Sequence, residues 1–185
     1  MQLAPTFADA ALGSQAVFRA LLDALAHPGT VREPRCELPA PPAPAHAALY
    51  AAALTLVDFE TPVWLDAALA PIAESLRFHT GAPLVTDPAR AAFALIGEPA
   101  TMPPLTAFAQ GTPEFPDRSA TLLVQVAGFA PGPWRLTGPG IADWCGFGAD
   151  GFAAEFAACW RENHARFPQG VDLVLASGQR LAALP

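Results

Sequence analysis

The sequence has 185 residues, of which 52% are hydrophobic and 15% are charged, and these proportions exclude a disordered chain. The formal net charge of −7 excludes an overall basic surface for nucleic acid or an anionic membrane. All ten basic residues are arginines, so a lysine Schiff base to pyridoxal phosphate and the lysine of a standard P-loop are both excluded. The low charge predicts that a partner covers part of the surface.

Three cysteines, Cys36, Cys145 and Cys159, form no C-x-x-C pair, which is typical of a protein of the reducing cytosol. Prolines interrupt the longest uncharged stretches, residues 38–57 and 119–134, so neither supplies the roughly 20 apolar residues of a membrane-spanning helix. We therefore predict a cytoplasmic protein without a membrane segment, forming one domain over residues 1–185.

Four helices are predicted in chain order. The first begins after Ser14 as its N-cap, and one apolar face repeats at helical spacing: Phe18, Leu21, Leu22 and Leu25. The second helix covers residues 45–57, and its alanine-rich composition predicts that it is buried on both sides. The third, residues 67–78, ends at Gly81 as a C-cap, and the fourth covers residues 151–166. The fourth has its own predicted apolar face: Phe152, Phe156, Cys159 and Trp160.

Short apolar runs between these helices predict strands at residues 62–65, 84–85, 92–96, 121–127 and 134–137. Residues 171–176 and 180–184 predict a terminal pair of strands. Because strands and helices alternate along the chain, the fold class is predicted to be α/β, with a mixed sheet flanked by helices.

The densest cluster of polar side chains lies at the end of the third helix, in residues 74–80. Arg77 can hold a phosphate group in a bidentate manner, and His79 or Thr80 can add a hydrogen-bond donor. The alternative is that the basic side chains only neutralise and cap the end of the helix. Residues 74–80 are therefore a candidate ligand site with a structural alternative.

Other candidate sites have weaker support. The turn at residues 136–141 (LTGPGI) does not fit the G-x-G-x-x-G spacing of a nucleotide site and is best explained as a tight turn. The four histidines have no metal-ligand spacing, so no metal is predicted. Cys145 has no base paired with it in a recognisable motif, which favours a structural thiol.

Several motifs occur in an order that resembles the PhnH family, a subunit family of the bacterial carbon–phosphorus lyase system. They are residues 61–65 (TPVWL), 75–80 (SLRFHT), 82–85 (APLV), 136–141 (LTGPGI) and 167–173 (FPQGVDL). The first helix, with Phe18-Arg19 and the later His27-Pro28-Gly29, resembles the start of the family as well. The resemblance thus extends over nearly the whole chain.

The resemblance implies a homodimeric α/β protein whose fold is similar to that of pyridoxal-phosphate-dependent transferases but which uses no cofactor. It also implies a core complex with the PhnG, PhnI and PhnJ subunits, in which ATP and a phosphonate give a ribose 1-phosphonate 5-triphosphate. The family has no assigned catalytic residues to carry over, so a non-catalytic or co-catalytic subunit is expected. The alternative is a stand-alone transferase that binds a phosphorylated ligand through Arg77 and His79.

Overall fold

Eight strands and four α-helices make up the computed structural model, which describes residues 3–185. The strands are β1 (Val63–Leu65), β2 (Leu84–Val85), β3 (Phe93–Ile96), β4 (Thr121–Gln125), β5 (Phe129–Leu136), β6 (Cys145–Ala149), β7 (Asp172–Ser177) and β8 (Arg180–Leu184). Six of them form one sheet in the order β2-β1-β3-β4-β7-β8, while β5 and β6 form an antiparallel hairpin. The prediction of an α/β fold is confirmed.

Neighbouring strands of the large sheet are parallel, except that β8 runs antiparallel to β7. Parallel strands covered on both faces need apolar side chains at successive positions, and the LLVQV run from β4 is buried throughout. The sheet is therefore a buried layer with a hydrophobic cluster on each face. The predicted mixed sheet is thus mostly parallel.

The helices are α1 (Ala10–Ala26), α2 (Ala47–Leu56), α3 (Ala73–Thr80) and α4 (Phe156–His164). Buried residues of α1, α2 and α3 pack in the cluster on one face of the sheet. The other face is covered by α4, the β5–β6 hairpin and the connection from β3 to β4. This arrangement confirms the prediction of helices on the sheet.

The predicted start of α1 is wrong. Asp9 is the N-cap, since its side chain accepts a hydrogen bond from the Leu12 N–H at 2.9 Å, and Ser14 lies inside the helix. The predicted apolar face is also wrong in part, because Phe18 and Leu22 are exposed. The buried positions are Gly13, Val17, Leu21 and Ala24. Small residues let α1 lie close to the segment before it, since a Cβ on Gly13 would lie 2.5 Å from the ring of Phe7.

The predictions for α2 and α3 are confirmed. All six residues from Ala48 to Ala53 are fully buried, as expected of an alanine-rich helix packed on all sides. The stretch before α3 is a 3₁₀ helix, Ala67–Ile72, and α3 ends at Gly81, whose φ of 72° is the left-handed C-cap conformation.

The hairpin and α4 differ most from the predictions. Strand β6 was not predicted, and its backbone approaches β5 so closely that a Cβ on Gly132 would lie 2.4 Å from the Cα of Gly148. Helix α4 is shorter than predicted at both ends, and Cys159 is exposed instead of belonging to the apolar face. Phe156 is buried, and its ring stacks on that of Phe152 with 3.9 Å between centroids.

A buried amide connects α4 to the start of β7. Asn163 donates a hydrogen bond to the Val171 carbonyl and accepts one from the Val171 N–H, both at 2.9 Å. Asn163 is 7% exposed and Val171 is 1% exposed. The side chain thus satisfies two backbone groups that have no access to water.

The two edges of the large sheet are limited in different ways. At one edge β2 has two residues, preceded by Pro83. At the other edge a single antiparallel bridge covers β8, where Arg32 and Leu181 exchange N–H···O bonds of 2.7 Å.

None of the helices within residues 3–185 is both long and apolar enough to span a membrane.

Candidate functional site

Arg77 lies in an open depression of about 880 Å³ beside the edge strand β2. The depression is lined by eight residues: Ala73, Glu74, Arg77, Phe78, Gly81, Ala82, Pro83 and Leu84. The Arg77 side chain is exposed there, and the ion pairs found within residues 3–185 both involve Asp23, with His27 and Arg32 as partners. The guanidinium is therefore available to a ligand or partner.

The other two predicted ligand residues, His79 and Thr80, make contacts within the protein. His79 Nε2 lies 2.8 Å from the carbonyl oxygen of Ala4, which ties the N-terminal segment to α3. The Thr80 hydroxyl donates to the Leu76 carbonyl at 2.8 Å and accepts from the Ala82 N–H at 3.1 Å. Neither residue lines the depression around Arg77. The structure therefore does not bring the three side chains together around one space.

The turn predicted at residues 136–141 is confirmed, with the Ile141 N–H bonded to the Gly138 carbonyl at 3.1 Å. It packs against the His27-Pro28-Gly29 turn that follows α1. A Cβ on Gly140 would lie 2.1 Å from the carbonyl oxygen of Ala26, and one on Gly29 would lie 2.6 Å from the Cys145 sulfur. These glycines allow two turns to touch, so both motifs have a packing role.

The reactive side chains are dispersed. Cys145 Sγ lies 3.7 Å from the Pro28 carbonyl oxygen in the same contact. In the part of the chain that the structure describes, no three His, Cys, Asp or Glu side chains come together as metal ligands would. Burial raises the pKa of the Asp172 carboxyl, the Tyr50 hydroxyl and the Cys36 thiol, and none of the three lines the depression.

A second cavity, of about 380 Å³, lies where β1 and β3 end. We call it the crevice, and it is lined by Trp64, Asp66, Ala67, Ala68, Glu98, Thr101, Met102 and Pro103. The chain leaves β1 along one face of the sheet, in the cluster with α3, and leaves β3 along the other face. Such a switch point at the carboxyl ends of parallel strands is the usual ligand position in open α/β sheets.

Asp66 holds the two walls of the crevice together. One of its carboxylate oxygens accepts the Leu69 N–H at 3.0 Å, and the other accepts the N–H groups of Gly97 at 2.6 Å and Glu98 at 3.1 Å. Sequence reasoning missed this position because the switch point depends on strand order. The available signal was an aspartate directly after a buried strand, at a helix N-cap position.

Comparison with known proteins decides the family. The family model described as "Bacterial phosphonate metabolism protein (PhnH)" matches residues 5–185. The chain belongs to the PhnH family. The resemblance predicted from its motifs is confirmed.

Two relatives of this PhnH-family chain have informative names. A protein of Rhizobium meliloti (strain 1021), "Alpha-D-ribose 1-methylphosphonate 5-triphosphate synthase subunit PhnH", is 40% identical over 182 residues, covering 97% of this chain and 90% of the relative. The "Putative C-P lyase subunit protein HtxG" of Stutzerimonas stutzeri is 41% identical over 76 residues, covering 40% of this chain and 39% of the relative. Both relatives are named as subunits of larger enzymes.

Proposed function

We propose that the protein is a subunit of a carbon–phosphorus lyase system and supports formation of a ribose 1-phosphonate 5-triphosphate from ATP and a phosphonate. The observation that carries the proposal is the 40% identity to the Rhizobium synthase subunit across nearly the full length of both chains. The dispersed reactive side chains favour a subunit that is non-catalytic alone. We therefore favour the role as a subunit, which is the main function predicted from the sequence, over the stand-alone transferase.

The exposed apolar side chains support association with other subunits. Phe18 and Leu22 lie on the outer side of α1, and Phe59 and Phe78 are 71% and 68% exposed. A Cβ on Gly81 would lie 3.3 Å from the Cβ of Phe59, and Gly81 lines the depression together with Phe78, so Phe59 lies at the margin of the depression. Apolar side chains grouped on a surface are typical of an interface. The proposed partners are a second copy of this chain and the PhnG, PhnI and PhnJ subunits.

The test is recovery of the complex from a phosphonate-grown host that carries an affinity-tagged copy of this protein. We expect the tag to recover PhnG, PhnI and PhnJ, and a tag alone to recover none. Light scattering on the isolated protein is expected to give twice the 19.3 kDa chain mass. A tagged protein that is folded by circular dichroism yet recovers none of the three subunits would refute the proposal.

The fold and compartment are part of the same proposal. We propose that residues 1–185 form one domain related to pyridoxal-phosphate-dependent transferases that works without the cofactor in the cytoplasm. The mostly parallel sheet flanked by helices is compatible with that relationship. The absence of lysine from the sequence supports loss of the covalent cofactor link.

We further propose that Arg77 contributes to a phosphate-binding surface, with His79 and Thr80 holding α3 in position beside it. Arg77→Ala is expected to weaken binding of ATP or methylphosphonate about tenfold, because a charge-assisted bidentate pair is lost. Isothermal titration calorimetry on the isolated protein measures this. Arg166→Ala is the control, since Arg166 is exposed and lies outside the depression. Equal affinities of wild type and Arg77→Ala would exclude the role of Arg77.

A further inference from the structure

The crevice has the size and position of a small-molecule site. Its volume of about 380 Å³ lies within the roughly 300–1,000 Å³ range of ligand pockets. It sits at the β1/β3 switch point of the sheet, on the side of the Trp64 ring. The rings of Trp64 and Phe108 form a T-shaped contact with 5.8 Å between centroids, and Phe108 is 2% exposed. The aromatic wall of the crevice is thus held in place by the core.

The walls combine an aromatic surface with negative charge. Trp64 and Met102 supply polarisable apolar surface, while Asp66 and Glu98 supply carboxylates. No arginine or histidine lines the crevice. Glu98 is exposed, and the ion pairs within residues 3–185 leave its carboxylate without a basic partner. An aromatic face beside an unpaired carboxylate is the combination that recognises organic ammonium groups.

Anionic ligands do not fit this position. Backbone N–H groups that converge at the ends of parallel strands usually bind phosphate. Here the N–H groups of Leu69, Gly97 and Glu98 are already bonded to the Asp66 carboxylate, which takes the place of such an anion. A phosphate entering the crevice would meet two carboxylates and none of these donors. A bare metal ion is also a poor match, because only two carboxylates line a cavity much larger than an ion.

We propose that the crevice binds a small organic ammonium cation, with the charge placed between Trp64 and Glu98. The ligand lies on Trp64 through its carbon-bound hydrogens, and Glu98 neutralises its charge. This site is distinct from the depression around Arg77, and its occupancy does not depend on assembly with other subunits. Its test is therefore separate from that of the proposed function.

The test is a calorimetric titration of the protein with choline, with ethanolamine and with inorganic phosphate, all at the same low ionic strength. We expect choline and ethanolamine to bind with a dissociation constant of about 1 mM or lower and to compete with each other. Glu98→Gln is expected to weaken both about tenfold, because the exposed amide keeps the shape and loses the charge. Glu98→Asp is expected to restore part of the affinity.

Glu162→Gln is the matched control, because Glu162 is an exposed glutamate that lines neither the crevice nor the depression. It is expected to leave choline binding unchanged. The proposal is overturned if wild type binds neither ammonium compound, or if Glu98→Gln and Glu162→Gln have equal effects. Phosphate that competes with choline would assign the crevice to anions and would overturn it as well.

Discussion

Replacing Asn163 with alanine is expected to lower the free energy of unfolding by about 4 kcal/mol, since the Val171 N–H and carbonyl both lose their only side-chain partner. Each buried backbone group without a partner costs about 1–3 kcal/mol, and Val171 is 1% exposed. The connection between α4 and β7 would then carry two unsatisfied groups. Urea denaturation followed by tryptophan fluorescence measures the loss.

Two further variants separate hydrogen bonding from other effects at this position. Glu162→Ala removes an exposed neighbour on the same helix and is expected to change stability by no more than about 0.5 kcal/mol. Asn163→Asp keeps an acceptor for the Val171 N–H but places a buried carboxylate against the Val171 carbonyl oxygen, so a loss at least as large as that of Asn163→Ala is expected at neutral pH. A loss below about 1 kcal/mol for Asn163→Ala would show that water replaces the amide.

Gly140→Ala is expected to lower the free energy of unfolding by about 3 kcal/mol, from a steric collision and backbone strain. The added Cβ would lie 2.1 Å from the backbone carbonyl oxygen of Ala26, and the φ of Gly140 is 82°. Because a backbone atom is on the other side, no side-chain rotation relieves the collision. Thermal or chemical denaturation measures the effect, and the contact of the hairpin with the end of α1 should loosen.

Gly138→Ala provides the comparison within the same turn. Gly138 also has a positive φ, 134°, but no atom lies within 4 Å of the position of its Cβ. Its substitution therefore reports backbone strain alone, and a smaller loss is expected. If both substitutions cost the same, the contact between the two turns does not contribute to stability.

The elements that the sequence predicted best are those whose pattern depends on local structure. The alanine-rich α2 is apolar on every side, and α3 is closed by Gly81, whose left-handed conformation a glycine adopts without cost. The terminal hairpin of β7 and β8 likewise has two apolar runs around a Gly178 turn. Burial and turn chemistry agree at these places, and the predictions are confirmed.

Predictions failed where contacts between residues distant in sequence determine the structure of an element. In α1 the small residues Gly13 and Ala24 face the core, because they permit close packing that a count of large side chains does not register. Strand β6 contains Gly146 and Gly148, which lower the intrinsic strand preference, and Gly148 is needed for the close approach to Gly132 of β5. Contacts distant in sequence thus override the local signal in both elements.

The candidate sites show the same limit. The helix-end cluster at residues 74–80 was visible in the sequence, but its division into an exposed Arg77 and the internally bonded His79 and Thr80 depends on the N-terminal segment and on Ala82. The crevice depends on the order of strands in the sheet, which no local pattern specifies. Trp64 and Glu98 are 34 positions apart and line the same crevice only because β1 and β3 are neighbours.

The two sheet edges limit how this chain can join others. The edge strand β2 has only two residues and follows a proline, and the edge strand β8 is bonded to Arg32 at Leu181. Few backbone groups are therefore free to pair with a strand from another chain. Recruitment into an assembly would then rely on side-chain surfaces instead of on a shared, continuous sheet. Such contacts form between chains that are already folded. The isolated chain is therefore less prone to the edge-to-edge strand aggregation to which other open sheets are subject.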